Sequence, residues 1–144
     1  MSRRSMQALC AGSLVAAVAA IGCSSRSAAE KTYPVSGEVF YEGKPAAGAA
    51  VIFHPIEAGK ESQRARGRVE KDGTFRLSTR VANDGASAGN YIVTVEWKKT
   101  DDHPEQGISL LADRYADPKT SGLTAIVKEE ENRLPPFKLS RQGK

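Results

Sequence analysis

The chain has 144 residues, 40% hydrophobic and 26% charged, with 21 Lys and Arg against 17 Asp and Glu for a formal charge of +4. That length points to one domain. Arg3 and Arg4 belong to the leader described next, so the rest carries only +2, too little to argue for a nucleic-acid partner.

From the N-terminus, the basic pair is followed by an apolar, small-residue run over residues 9–21, interrupted by Gly12 and Ser13. This is the pattern of a secretory signal. At about 13 residues the run is shorter than the ~20 a membrane-spanning helix needs. It closes on Ala20-Ile21-Gly22-Cys23, which resembles the lipobox of bacterial lipoproteins, with Ala20 where Leu is usual. The resemblance implies that residues 1–22 are a lipoprotein signal peptide and that Cys23 takes a diacylglycerol. The protein is then expected to be exported and anchored to the cell membrane or the outer membrane, facing the periplasm or the exterior. Each acyl chain contributes about 0.8 kcal/mol per buried CH₂. Cys10 leaves with the signal and Cys23 is used by lipid, so the mature domain has no disulfide and depends on a packed core.

Residues 23–32 are small, polar and charged and read as a flexible tether. Over 33–140 the apolar residues alternate with a period of two. Val35, Val39 and Tyr41 share one face, as do Val51 and Phe53; Ala65, Gly67 and Val69 alternate with Arg64, Arg66 and Arg68. Phe75 and Leu77 follow, then Tyr91, Val93, Val95 and Trp97, then Leu123, Ala125 and Val127, and last Phe137 with Leu139. Lys71-Asp72-Gly73-Thr74 is a hairpin signal, because Asp-Gly readily adopts positive φ. About seven short strands, each with one apolar face, predict an all-β sandwich of two packed sheets. Residues 100–121 form a long crossover, with Ile108, Leu111 and Tyr115 at helix-like spacing; it is expected to be poorly protected and is the first choice for a contact surface.

The spacing Val35-x-Gly37-x-Val39, Gly43-x-Pro45-x-x-Gly48-x-x-Val51-x-Phe53, Asp72-Gly73-x-Phe75 and Ala88-Gly89-x-Tyr91-x-Val93-x-Val95 resembles the carboxypeptidase regulatory-like domain. That resemblance implies a transthyretin-like, immunoglobulin-like β-sandwich, here in a small lipoprotein. Fold alone does not specify function.

Chemistry is sparse. His54 precedes Pro55 on a strand, and His103 sits beside Asp101, Asp102 and Glu105 in the crossover, without the ligand spacing of a dedicated metal site. No cofactor or metal is expected. Some transthyretin-like proteins are 5-hydroxyisourate hydrolases, but their histidine, arginine and C-terminal motifs are not matched here, so a non-catalytic binding or structural role is expected. Lys31 or Lys44 with Asn132 and Glu131 have the residue types of an isopeptide cross-link, with no spacing rule behind them. Arg64, Arg66, Arg68, Arg76 and Arg80 make a basic stripe, partly offset by Glu70 and residues 129–131; it would suit an acidic glycan, a headgroup or an acidic partner, or serve as a soluble face that blocks edge aggregation. The expected partners are the membrane, through Cys23, and an envelope protein or glycan, for a monomeric domain.

Overall fold

The computed structural model describes residues 30–57, 59, 63–99 and 108–141. The expected signal peptide, Cys23 and most of the expected tether lie outside the described residues, as do Asp101, Asp102, His103 and Glu105.

Among the described residues there are thirteen strand segments: β1 (Thr32–Tyr33), β2 (Val35–Tyr41), β3 (Lys44–Pro45), β4 (Ala50–Pro55), β5 (Ala65–Arg68), β6 (Thr74–Arg76), β7 (Ala86–Ser87), β8 (Gly89–Glu96), β9 (Lys98–Lys99), β10 (Ile108–Ser109), β11 (Leu123–Val127), β12 (Asn132–Arg133) and β13 (Phe137–Leu139). Seven of them, β2, β4, β5, β6, β8, β11 and β13, are the strands the alternation predicts. The other six are two-residue pairings that periodicity is too short to reveal.

The protein is an all-β sandwich. One sheet is antiparallel, in the order β11-β8-β4-β5. The other is built around β2, with β12 and β13 parallel to it on one side and β6 and β3 antiparallel on the other. Pro135 and Pro136 separate β12 from β13. Proline has no N–H to give a ladder and is confined to such outer lanes.

Between the sheets lie Val35, Val39, Phe75, Leu77, Phe137 and Leu139 from one side and Val51, Phe53, Ala65, Tyr91, Val93, Val95 and Val127 from the other, all buried. Phe53 is the centre, 5.7 Å from Tyr91, 6.4 Å from Phe75 and 6.5 Å from Phe137, ring to ring. Truncating such a residue to Ala costs about 3–5 kcal/mol. Tyr91 turns inward as its motif implies, and its buried hydroxyl donates to the Ser87 carbonyl at 2.7 Å.

The Asp72-Gly73 turn forms as the sequence predicts. Gly73 has φ +94°, and Asp72 Oδ1 accepts the Thr74 N–H at 3.0 Å and the Thr74 hydroxyl at 2.7 Å. Its two arms stay bridged to each other but belong to different sheets. β5 pairs with β4 in one sheet and β6 with β2 in the other, so the hairpin turns the corner of the sandwich.

Two expectations need revision. Thr32, placed in the tether by its composition, pairs with Ser87, and the Glu30 carbonyl accepts a 2.7 Å hydrogen bond from Arg80. Backbone pairing orders a segment that lacks an apolar signature. The second half of the crossover is also a packed element. β10 pairs with β9, the Leu110 N–H donates to the Trp97 carbonyl at 2.7 Å, and Leu111 and Tyr115 are buried, the latter in a 3₁₀ turn over Asp113–Ala116. Among the described residues no helix is long and apolar enough to cross a membrane.

Candidate functional site

The corner hairpin positions the strongest charge feature of the domain. In β5 the alternation buries Ala65 and exposes Arg66 and Arg68; in β6 it buries Phe75 and exposes Arg76. Arg66 and Ser78 exchange backbone hydrogen bonds at 2.9 and 2.8 Å, and the Glu70 N–H donates to the Thr74 carbonyl at 2.7 Å. This register sets Arg68 across from Arg76. Gly67 makes the approach possible: a Cβ there would stand 2.7 Å from the Arg76 carbonyl oxygen.

Arg66, Arg68 and Arg76 line a cleft of about 720 Å³. Lys98, Glu70 and Glu96 share its walls, and Thr74, Ser78 and Asn83 add hydroxyl and amide groups. Among the described residues the ion pairs are Lys128 with Glu130 and Arg133 with Glu131, so the three guanidiniums form none with a described carboxylate, although Glu131 and Arg133 line an adjoining groove that shares Arg76, Thr74 and Asn83 with the cleft. Like charges facing each other across strands are destabilising. A guanidinium stays charged at any physiological pH and presents a planar fork of donors that matches an oxyanion.

The expected stripe is therefore split. Arg66, Arg68 and Arg76 come together. Arg64 is exposed but not part of the cleft wall, and Arg80 turns away to the Glu30 carbonyl. Of residues 129–131, Glu130 and Glu131 pair with Lys128 and Arg133, and Glu131 also lines the groove next to the cleft with Arg76. Sequence reasoning missed Glu96 and Lys98 as wall residues. Their outward alternation was visible, but the pairing of Ala50 with both Arg68 and Glu96, which brings them to the arginines, was not.

His54 lies on the outer face of the same sheet, and its Nε2 is 2.8 Å from the Thr94 hydroxyl. Burial holds the imidazole below its ordinary pKa, the charges of Arg64 and Arg66 lower it further, and Glu96 opposes them. Thr94 is only 1% exposed, so the pair ties β4 to β8 and does not offer a hydroxyl to a substrate.

Asn132 is likewise committed. Its Oδ1 accepts the Lys128 N–H at 2.8 Å, and its Nδ2 donates to the carbonyls of Lys128 and Glu130 at 3.0 and 2.6 Å. The carboxamide thus shapes the turn between β11 and β12. Among the described residues no group of three or more His, Cys, Asp or Glu could hold a metal ion.

Compared with known proteins, the chain matches no family model and no curated protein. Among solved structures it is similar to a DUF3823 family protein from Parabacteroides merdae, with 14% identity and a TM-score of 0.41, over 78% of this chain and 46% of that one. The chain thus spans about half the length of that protein.

Proposed function

We propose that this chain is an exported, lipid-anchored β-sandwich module of the cell envelope, of the carboxypeptidase regulatory-like, transthyretin-like kind, with a non-catalytic binding role. The leader and Ala20-Ile21-Gly22-Cys23 support the anchor. The domain type is supported by the placing of its motif residues, since Val35, Val39, Val51, Phe53, Phe75, Tyr91, Val93 and Val95 are all core. The binding role rests on one observation: three guanidiniums gathered around a cleft by paired strands. Guanidiniums hold and orient anions but do not relay protons at neutral pH, so the chemistry of this surface is recognition.

The anchor is tested by fractionation. Wild-type protein is expected in the membrane fraction, and Cys23→Ala protein in the soluble fraction or unprocessed. A Cys23→Ala protein that fractionates and migrates like wild type would remove the lipoprotein reading.

A further inference from the structure

We propose that the cleft of Arg66, Arg68 and Arg76 is a binding site for a carboxylated polysaccharide. This names a ligand class for the binding role proposed above and does not depend on the anchor.

Charge calls for an oxyanion. Arg68 and Arg76 face each other from two strands, and Arg66 stands two residues along from Arg68, about 7 Å away at strand spacing. A carboxylate between two guanidiniums relieves their repulsion and takes paired, charge-assisted hydrogen bonds from each. Two carboxylates on successive units of a polymer can use Arg66 and the Arg68–Arg76 pair together.

The rest of the wall suits a polyol. Thr74, Ser78 and Asn83 offer neutral donors and acceptors, and Glu70 and Glu96 accept hydrogen bonds from hydroxyls. A bilayer fits poorly. The exposed large hydrophobics among the described residues, Ile56, Val81, Leu110 and Ile126, all lie outside the cleft, whose apolar lining is the buried Phe75 and the small Ala50, with little to insert among lipids.

The test uses the full chain in zwitterionic detergent micelles, with polygalacturonate, dextran, poly-glutamate and phosphatidylglycerol vesicles as probes. Polygalacturonate is expected to bind, and dextran is not. The triple variant Arg66→Gln/Arg68→Gln/Arg76→Gln is expected to bind at least tenfold more weakly. Lys119→Gln/Lys128→Gln/Lys138→Gln, which removes the same charge elsewhere, should keep wild-type affinity. Replacing the three arginines by Lys preserves charge and fold but not the planar fork, and several-fold weakening is expected. Full binding by the Lys variant, equal loss in the two Gln triples, or tighter binding of poly-glutamate or vesicles than of polygalacturonate would overturn the proposal. None of these readings depends on Cys23, so a failed anchor and a failed cleft are told apart.

Discussion

The Tyr115 hydroxyl holds both backbone groups of Ser140, accepting its N–H at 3.1 Å and donating to its carbonyl at 3.2 Å. Twenty-five residues separate the two in sequence, and the contact fastens the 3₁₀ turn to the end of β13. Arg114 adds a donor at 2.5 Å and lays its guanidinium over the Tyr115 ring.

Tyr115→Phe keeps the ring in the core and removes only the hydroxyl. Two hydrogen bonds to Ser140 vanish, at a cost of about 1–2 kcal/mol. Urea denaturation should show a lower midpoint at unchanged slope. A midpoint equal to wild type would mean that water serves Ser140 equally well.

The same residues show what sequence can and cannot reveal. Tyr115, Leu111 and Ile108 stood out as the apolar points of the crossover, and Leu111 and Tyr115 are indeed buried. Their helix-like spacing matches the 3₁₀ turn over Asp113–Ala116 that holds Tyr115, but Ile108 lies in a strand, because periodicity reports side chains, not partners. The pairing of β10 with β9 and the grip on Ser140 are long-range facts that no local pattern encodes. The β-sandwich was legible because each main strand buries alternate residues. The cleft was half legible: the arginines of β5 and β6 alternate outward in plain view, whereas Glu96 and Lys98 reach them only through the register of β4 between β5 and β8.

Hydrogen exchange distinguishes a packed segment from a mobile one. The amides of Leu110, Tyr115 and Ser121 donate to the carbonyls of Trp97, Ala112 and Asp117 at 2.7, 3.1 and 2.9 Å. They are expected to exchange on the order of tenfold or more slowly than in a free chain. Free-chain rates at all three would restore the crossover as a mobile surface.

His54 makes stability depend on pH in a definable window. Its folded pKa lies below 6.5, because burial and then Arg64 and Arg66 disfavour the imidazolium, against Glu96. The unfolded chain therefore takes up the proton first. The stabilisation by neutral His54 is complete above 6.5 and falls as pH drops from there through the folded pKa. His54→Gln does not titrate and should flatten that part of the curve. Thermal melts from pH 8 to pH 5 test this. Parallel decline of both proteins through the window would assign the effect to other groups.

Gly67 links the fold to the cleft. Its α-carbon faces the Arg76 carbonyl so closely that a methyl group would sit 2.7 Å from that oxygen and 3.3 Å from Leu77 Cδ2. The oxygen is backbone, so it cannot rotate aside. Gly67→Ala must spread β5 from β6, straining the bridge between Arg66 and Ser78 and with it the corner that joins the two sheets. Overpacking of this kind costs about 1–3 kcal/mol. Spreading the arms also separates Arg68 from Arg76, so polygalacturonate affinity should fall even where the variant is fully folded. Binding is therefore measured well below the melting transition, beside the thermal melt itself. Reduced stability with intact affinity would show that the arginines act singly and do not need the facing arrangement. Wild-type values in both would show that the corner yields without cost.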